Sequence, residues 1–345
     1  MIIQSSILTL GKQRKFPIKY TPTRDVFEKY AHYYEKDPQE LFETIEESVN
    51  LPQEYEDISS EEEEDNEIRA TDRIAFSLVS DTNDVRLDTY IFDQETEAFY
   101  VHHDVFLHGV PTSLAVSDRN DNPWVFVSNE DGTIAGYRVF VTNHFLPDMV
   151  ILAHESKIRN IVADTVHIVS NDKTSIKVWD INTQKNTFEI AEESATLSMN
   201  ENMIYFSNNS TVYAVDMREG AKNKIFNTES EITAISSDGN TIAAGLSDGT
   251  LVFSINREKE RAQKIHTDKI NNLSTSQDRY IVSASRDESI SLFDMQNLEI
   301  VERKQTNLET ATVAIPKDTP SIYVYPTEEG ELDIGSFEEA ILRIE

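Results

Sequence analysis

The sequence contains no cysteine. Disulfides, thiolate metal sites and cysteine nucleophiles are therefore excluded, and a reducing compartment fits. Glycine is scarce, with 10 in 345 residues. The signatures HExxH, GxGxxG, GxSxG and the P-loop are all missing, so no motif points to an enzyme, a catalytic residue or a cofactor. No run of about 18 apolar residues occurs, so no membrane-spanning helix is expected. The opening MIIQSSILTL is too polar for a secretory signal and lacks its basic flank. Positive charge is also short. There are 31 Lys+Arg against 62 Asp+Glu, a formal net charge of −31. Residues 1–70 hold 8 basic and 17 acidic side chains, a net of −9, which leaves −22 for the rest. That field repels phosphate backbones and anionic lipid and favours basic protein partners. Neither a membrane nor a small-molecule substrate is expected as a ligand.

Residues 1–52 read as an N-terminal arm followed by two short helices. Lys12, Arg14, Lys15 and Lys19 stand in a stretch free of acids. They read either as a solvated arm or as one that grips RNA or an acidic surface. Thr23 can cap the first helix. Asp37, Pro38 and Glu40 form a capping box for the second. Leu41, Phe42, Ile45 and Val49 then make an apolar stripe at helical spacing, for packing on the chain's own folded part or on a partner. Residues 53–67, QEYEDISSEEEEDNE, form an acidic linker whose self-repulsion favours disorder. Ser59 and Ser60 each have Glu three residues later. They fit either a plain spacer or sites for an acid-directed kinase.

From residue 68 to 345 short apolar runs recur between turn residues. The clearest are LDTYIFD at 87–93, TIAGYRVF at 133–140, SIKVWDIN at 175–182, TVYAVDMRE at 211–219, TLVFSINRE at 250–258, SISLFDMQN at 289–297 and ELDIGSFEE at 331–339. A period near 40 with four short strands per unit marks a WD-repeat array. The expectation is an all-β, seven-bladed WD-repeat β-propeller, preceded by the short helical extension and the acidic linker. Asp-Gly turns between strands are expected to place both residues at positive φ. Asp131, Asp172, Asp248 and Asp287 supply the acidic turn residue. His154 and His266 match the family's loop histidine, and Trp179-Asp180 is the one Trp-Asp pair. All are expected to brace blades. The first unit is short of an innermost strand, which residues 1–10 or the C-terminus could supply.

Tyr100-Val101-His102-His103-Asp104 invites a metal reading. Adjacent strand side chains point to opposite faces, so the two histidines are not expected to converge on one ion.

The same stretch carries a resemblance. Thr71-Asp72, the strand Leu87 to Phe92, Tyr100 to Asp104, and Leu146-Pro147-Asp148-Met149-Val150 occur in the order found in the periodic tryptophan protein one family. Lys15-Phe16-Pro17 and Lys19-Tyr20 resemble that family's Phe-Pro-x-Lys-Tyr, and an acidic linker precedes the propeller in both. This sequence departs by its short linker and by having only two tryptophans, Trp124 and Trp179. The resemblance implies a nuclear, nucleolar scaffold in large (60S) ribosomal subunit biogenesis, monomeric within a large complex. Its implied partners are pre-60S assembly factors, ribosomal proteins and, through local contacts, pre-rRNA. The acidity also fits a rival reading, a chromatin-associated propeller that binds basic histone tails. A ubiquitin-ligase adaptor would need a docking motif that the sequence does not display.

Overall fold

The computed structural model describes residues 2–8, 17–20, 67–80, 85–119, 122–256, 258–276, 279–309 and 312–342. It is a β-propeller. Six antiparallel four-stranded sheets, blades 1 to 6, follow one another around an axis. Blade 1 comprises Ile2–Ile7, Arg73–Ser80, Val85–Asp93 and Ala98–Phe106. Blade 2 comprises Pro111–Ser117, Trp124–Asn129, Thr133–Arg138 and, after an excursion, Met149–Leu152. Blades 3 to 6 span 160–190, 197–227, 232–264 and 270–305, each as one continuous up-and-down run. The first strand of each blade lies innermost. These strands touch those of neighbouring blades and surround a central cavity of about 590 Å³.

Burial explains the pattern in the sequence. The middle strands are covered on both faces, and so read as near-continuous apolar runs. Arg73–Ser80 and Tyr280–Ser285 are buried almost throughout, whereas the outer strands Lys185–Ile190, Arg261–Lys264 and Glu299–Gln305 are mostly exposed. The core is therefore split among the junctions between sheets. Phe126 and Trp179 share the cluster between blades 2 and 3, and Phe253 and Phe293 the one between blades 5 and 6. Burying each such ring contributes about 1.5–3 kcal/mol.

The expected seven blades are corrected to six. Among the described residues the seventh unit forms only a two-stranded sheet, Ile322–Pro326 with Leu332–Ser336. One isolated bridge joins Ala314 to Val324. Pro316 and Pro320 lack the N–H that an innermost strand would have to donate there. At the other edge the chain turns into the helix α1 (Glu338–Leu342) in place of an outer strand. This closing hairpin still completes the ring. Tyr323, Tyr325, Phe337 and Ile341 pack on blade 6, and Val324 and Leu332 pack on Ile2, Val79 and Tyr90 of blade 1.

Residues 2–7 belong to the propeller: of the two expected sources of the missing innermost strand it is the N-terminal residues that supply it, which corrects their assignment to an arm. They pair with Arg73–Ser80 as the innermost strand of blade 1. Gln4 Oε1 accepts from Leu114 N at 2.7 Å and from Ser113 Oγ at 3.1 Å in blade 2. The Asp-Gly turns also differ from expectation. Only the second residue is left-handed, at Gly132 and Gly249 (both φ 85°). Gly132 N donates to Asn129 O, and Gly249 N to Leu246 O, so each loop is a three-residue turn ending on the left-handed glycine.

Candidate functional site

Three sequence segments meet at the junction of blades 1 and 2. Ile18–Lys19 runs parallel to Val141–Thr142, within the excursion that precedes the outer strand of blade 2. This carries Tyr20, which is buried, onto His144, with ring centroids 5.2 Å apart. Asp148 holds the far end of the excursion. It accepts from His144 Nε2 at 2.8 Å, from Arg138 Nη2 at 2.7 Å and from Arg138 N at 3.0 Å. Burial works against its charge, but the bonds from His144 and Arg138 outweigh that and hold its carboxyl below the usual range. Met149 is buried beneath, and Pro147 lines a small cavity beside Leu107 and His108.

The outer strand of blade 1 brings in the histidine pair. A bulge lies here, with Thr89 facing His103 and Tyr90 facing Val101, so His102 is the extra residue. The bulge breaks the simple alternation. The two Nδ1 atoms lie 2.9 Å apart, which overturns the expectation that these side chains diverge. Burial, then the neighbouring His102 and His144, pushes the His103 imidazole down to about 3. Of two nitrogens in such contact one donates and one accepts, so at most one ring of the pair is protonated on both nitrogens. Among the described residues no group of three or more His, Asp or Glu is placed to hold a metal ion. Tyr100 and Asp104 are exposed. Lys19 is exposed as well.

The other singled-out residues lie elsewhere. In blade 3, Ser170 Oγ sits 2.8 Å from His154 Nε2 and accepts from Trp179 Nε1 at 3.1 Å. Asp172 accepts from Thr174 N and Ser175 N, and Asp180 accepts from Thr183 N. In blade 6, His266 lies 2.7 Å from Ser283 Oγ and 3.1 Å from Asp287. Burial opposes ionisation of Asp172 and Asp287, yet their hydrogen bonds hold both carboxyls at about 2. Asp131 and Asp248 each accept from the backbone N–H two residues on, at Thr133 and Thr250. Lys12, Arg14, Lys15, Leu41, Phe42, Ile45, Val49, Ser59 and Ser60, with the two helices and nearly all of the acidic linker, lie outside the described residues. His144 and Arg138, which hold Asp148, and the buried Arg73, which pairs with Asp318, are structural supports that motif reading missed. The one available signal was the spacing of His144 four residues before Asp148.

No protein-family model and no curated protein matches the chain. Among solved structures it is similar to the computationally designed Ika8 protein, at 18% identity and a TM-score of 0.54. The likeness covers 76% of this chain and 80% of that one. At that identity it concerns the fold alone.

Proposed function

We propose that the chain is a non-enzymatic WD-repeat scaffold in the assembly of the large ribosomal subunit, acting in the nucleolus. One observation carries this reading. Three of the segments that resemble the periodic tryptophan protein one family, Lys19-Tyr20, Tyr100 to Asp104 and Leu146 to Val150, lie far apart in sequence, yet they meet around His144 at the junction of blades 1 and 2. The His-Ser-Trp arrangement of blade 3 supports the WD-repeat assignment. The net charge of −31 favours basic ribosomal proteins and basic tails of assembly factors as partners, bound at several points at once. Contact with pre-rRNA falls to the local cluster Lys12, Arg14, Lys15 and Lys19.

The test is gentle affinity purification of the native protein, followed by sedimentation and sequencing of bound RNA. Co-sedimentation with large-subunit precursor rRNA is expected. Recovery with histones and no RNA would replace this reading with the chromatin one, which the same acidity favours.

A further inference from the structure

We propose that the outer edge of blades 1 and 2 is a docking surface for a segment of another protein that carries apolar side chains flanked by lysine or arginine. Eleven large apolar side chains are exposed among the described residues, and seven of them lie in this one quarter of the ring. Val101 is 50% exposed, Phe106 63%, Val110 53% and Leu152 68%. Phe106, Leu107, His108 and Val110 run from blade 1 to blade 2. The ring of His108 is bonded to Phe145 O, and Val110 O accepts from Glu130 N. Leu152 pairs with Thr133 just beyond that turn. These contacts tie together the segments that carry Phe106, Val110, Phe145 and Leu152 across the junction. A soluble surface seldom keeps such a stretch bare unless it binds something.

The remaining blades show what an unused edge looks like here. Their outer strands carry Lys185 and Glu189, Lys222 and Lys224, Arg261 and Lys264, and Glu299, Glu302, Arg303 and Lys304. Charges of this kind prevent strand edges from pairing with other chains. Ala98–Phe106 and Met149–Leu152 together carry only Asp104 and the histidine pair.

The charge around the patch selects the occupant. Glu97, Asp104, Asp131 and Glu155 are exposed on its rim. Lys19 is exposed beside Ile18, but the four carboxylates outnumber it, and Lys157 is already paired with Glu130 and Arg138 with Asp148. An acidic or neutral segment would gain nothing from that rim, whereas a basic one would be steered to it. The inference rests on the scaffold reading only in taking the ligand to be a protein. It holds whether or not that protein is ribosomal.

Two measurements on the full chain test it. The first uses a short labelled peptide alternating isoleucine and lysine, with an isoleucine–glutamate twin. The lysine peptide is expected to bind and the twin to fail. Phe106→Ser with Leu152→Ser, both on the surface, is expected to weaken binding about tenfold, and Glu97→Gln with Glu155→Gln about threefold. Binding left unchanged by the serine pair would reflect general acidity and overturn the proposal. The second places a photo-cross-linking residue at Leu152 in cells and sequences the cross-linked peptide. A basic, apolar peptide from another protein supports the proposal. Cross-links to residues 21–66 of this chain, to a second copy or to no protein overturn it. Pre-rRNA in the purified complex is read separately, so either idea can fail alone.

Discussion

Blade 3 and blade 1 solve the same problem by different means. Blade 3 is braced from within. Ser170 ties His154 to Trp179, and Asp172 satisfies the turn at Thr174 and Ser175. The members of this brace all lie between residues 154 and 179. Blade 1 has no such histidine or tryptophan and is braced from far away. Its innermost strand is Ile2–Ile7. Its buried Arg73 pairs with Asp318 at 3.0 Å and donates to Thr319 Oγ1 at 2.6 Å. Ser5 Oγ lies 3.1 Å from Thr312 Oγ1, and Tyr90 OH accepts from Leu332 N at 3.3 Å. Buried polar groups must be satisfied either way. Where the repeat pattern degenerates, ring closure takes over the task.

The largest test of this contrast is removal of residues 1–8. Ile2, Ile7 and Leu8 are buried, and the ladder to Arg73–Ser80 goes with them. The loss exceeds about 5 kcal/mol, comparable to the whole stability of many domains. A cooperative thermal transition followed by circular dichroism should vanish, and a peptide of residues 1–8 added in trans should restore it. A transition that survives the deletion would mean that blade 1 does not depend on its distant strand.

Next in size is the clasp. Asp318→Ala leaves Arg73, whose side chain is only 2% exposed, without its ion partner. A loss of about 2–3 kcal/mol is expected in urea denaturation, less than for a fully buried pair because Asp318 is itself partly solvated. Arg73→Met removes the need for a partner and should cost less than Asp318→Ala. The reverse order would show that the arginine contributes by packing.

The corresponding change in blade 3 is smaller. Trp179→Phe removes one indole donor but keeps Ser170 beside His154. Blade 6 already places Phe293 at the matching position and keeps His266 against Ser283. A cost of about 1 kcal/mol is expected. A cost as large as that of Asp318→Ala would mean that the single Trp-Asp blade carries more of the ring than its neighbours.

The same contrast explains what could be read from the sequence. Strands buried on both faces, such as Ile176–Asp180 and Ser289–Asp294, leave apolar runs and acidic turns that reveal themselves locally. The seventh unit shows the same third-strand run in ELDIGSFEE. Its failure to form four strands depends on Pro316 and Pro320 and on the turn into α1, which lie outside that run. The histidine pair was misjudged because alternation holds only in a regular strand. The bulge at His102 is set by pairing with Thr89 and Tyr90, not by the local sequence. The meeting of Tyr20, His103 and Asp148 near His144 was likewise not legible, because it needs the fold to bring blade 1, blade 2 and residues 17–20 together. Arg73 and Asp318 lie 245 positions apart, and nothing local to either marks the pair.

The smallest expected effect concerns pH, and it separates the two blades by where they weaken. His103 is held at about 3 when folded, below the ordinary histidine value of 6.5. The unfolded chain therefore takes up its proton first. The stabilising preference for neutral His103 is fully present above pH 6.5 and is lost as pH falls from there toward about 3. His154 and His266 are lowered in the same direction, burial being the main cause. Asp172 behaves differently. Its folded carboxyl is held at about 2 against an ordinary 3.8, so its contribution persists above about pH 4 and fades only below it. His103→Asn should therefore flatten the fall in melting temperature between pH 7 and pH 5, by the equivalent of about 1 kcal/mol after allowance for solvent screening. Asp172→Asn should leave that interval unchanged and alter only the steeper loss below pH 4. If His103→Asn leaves the upper interval untouched, the acid sensitivity there belongs to His154 and His266, and blade 1 is no weaker toward acid than the blades braced from within.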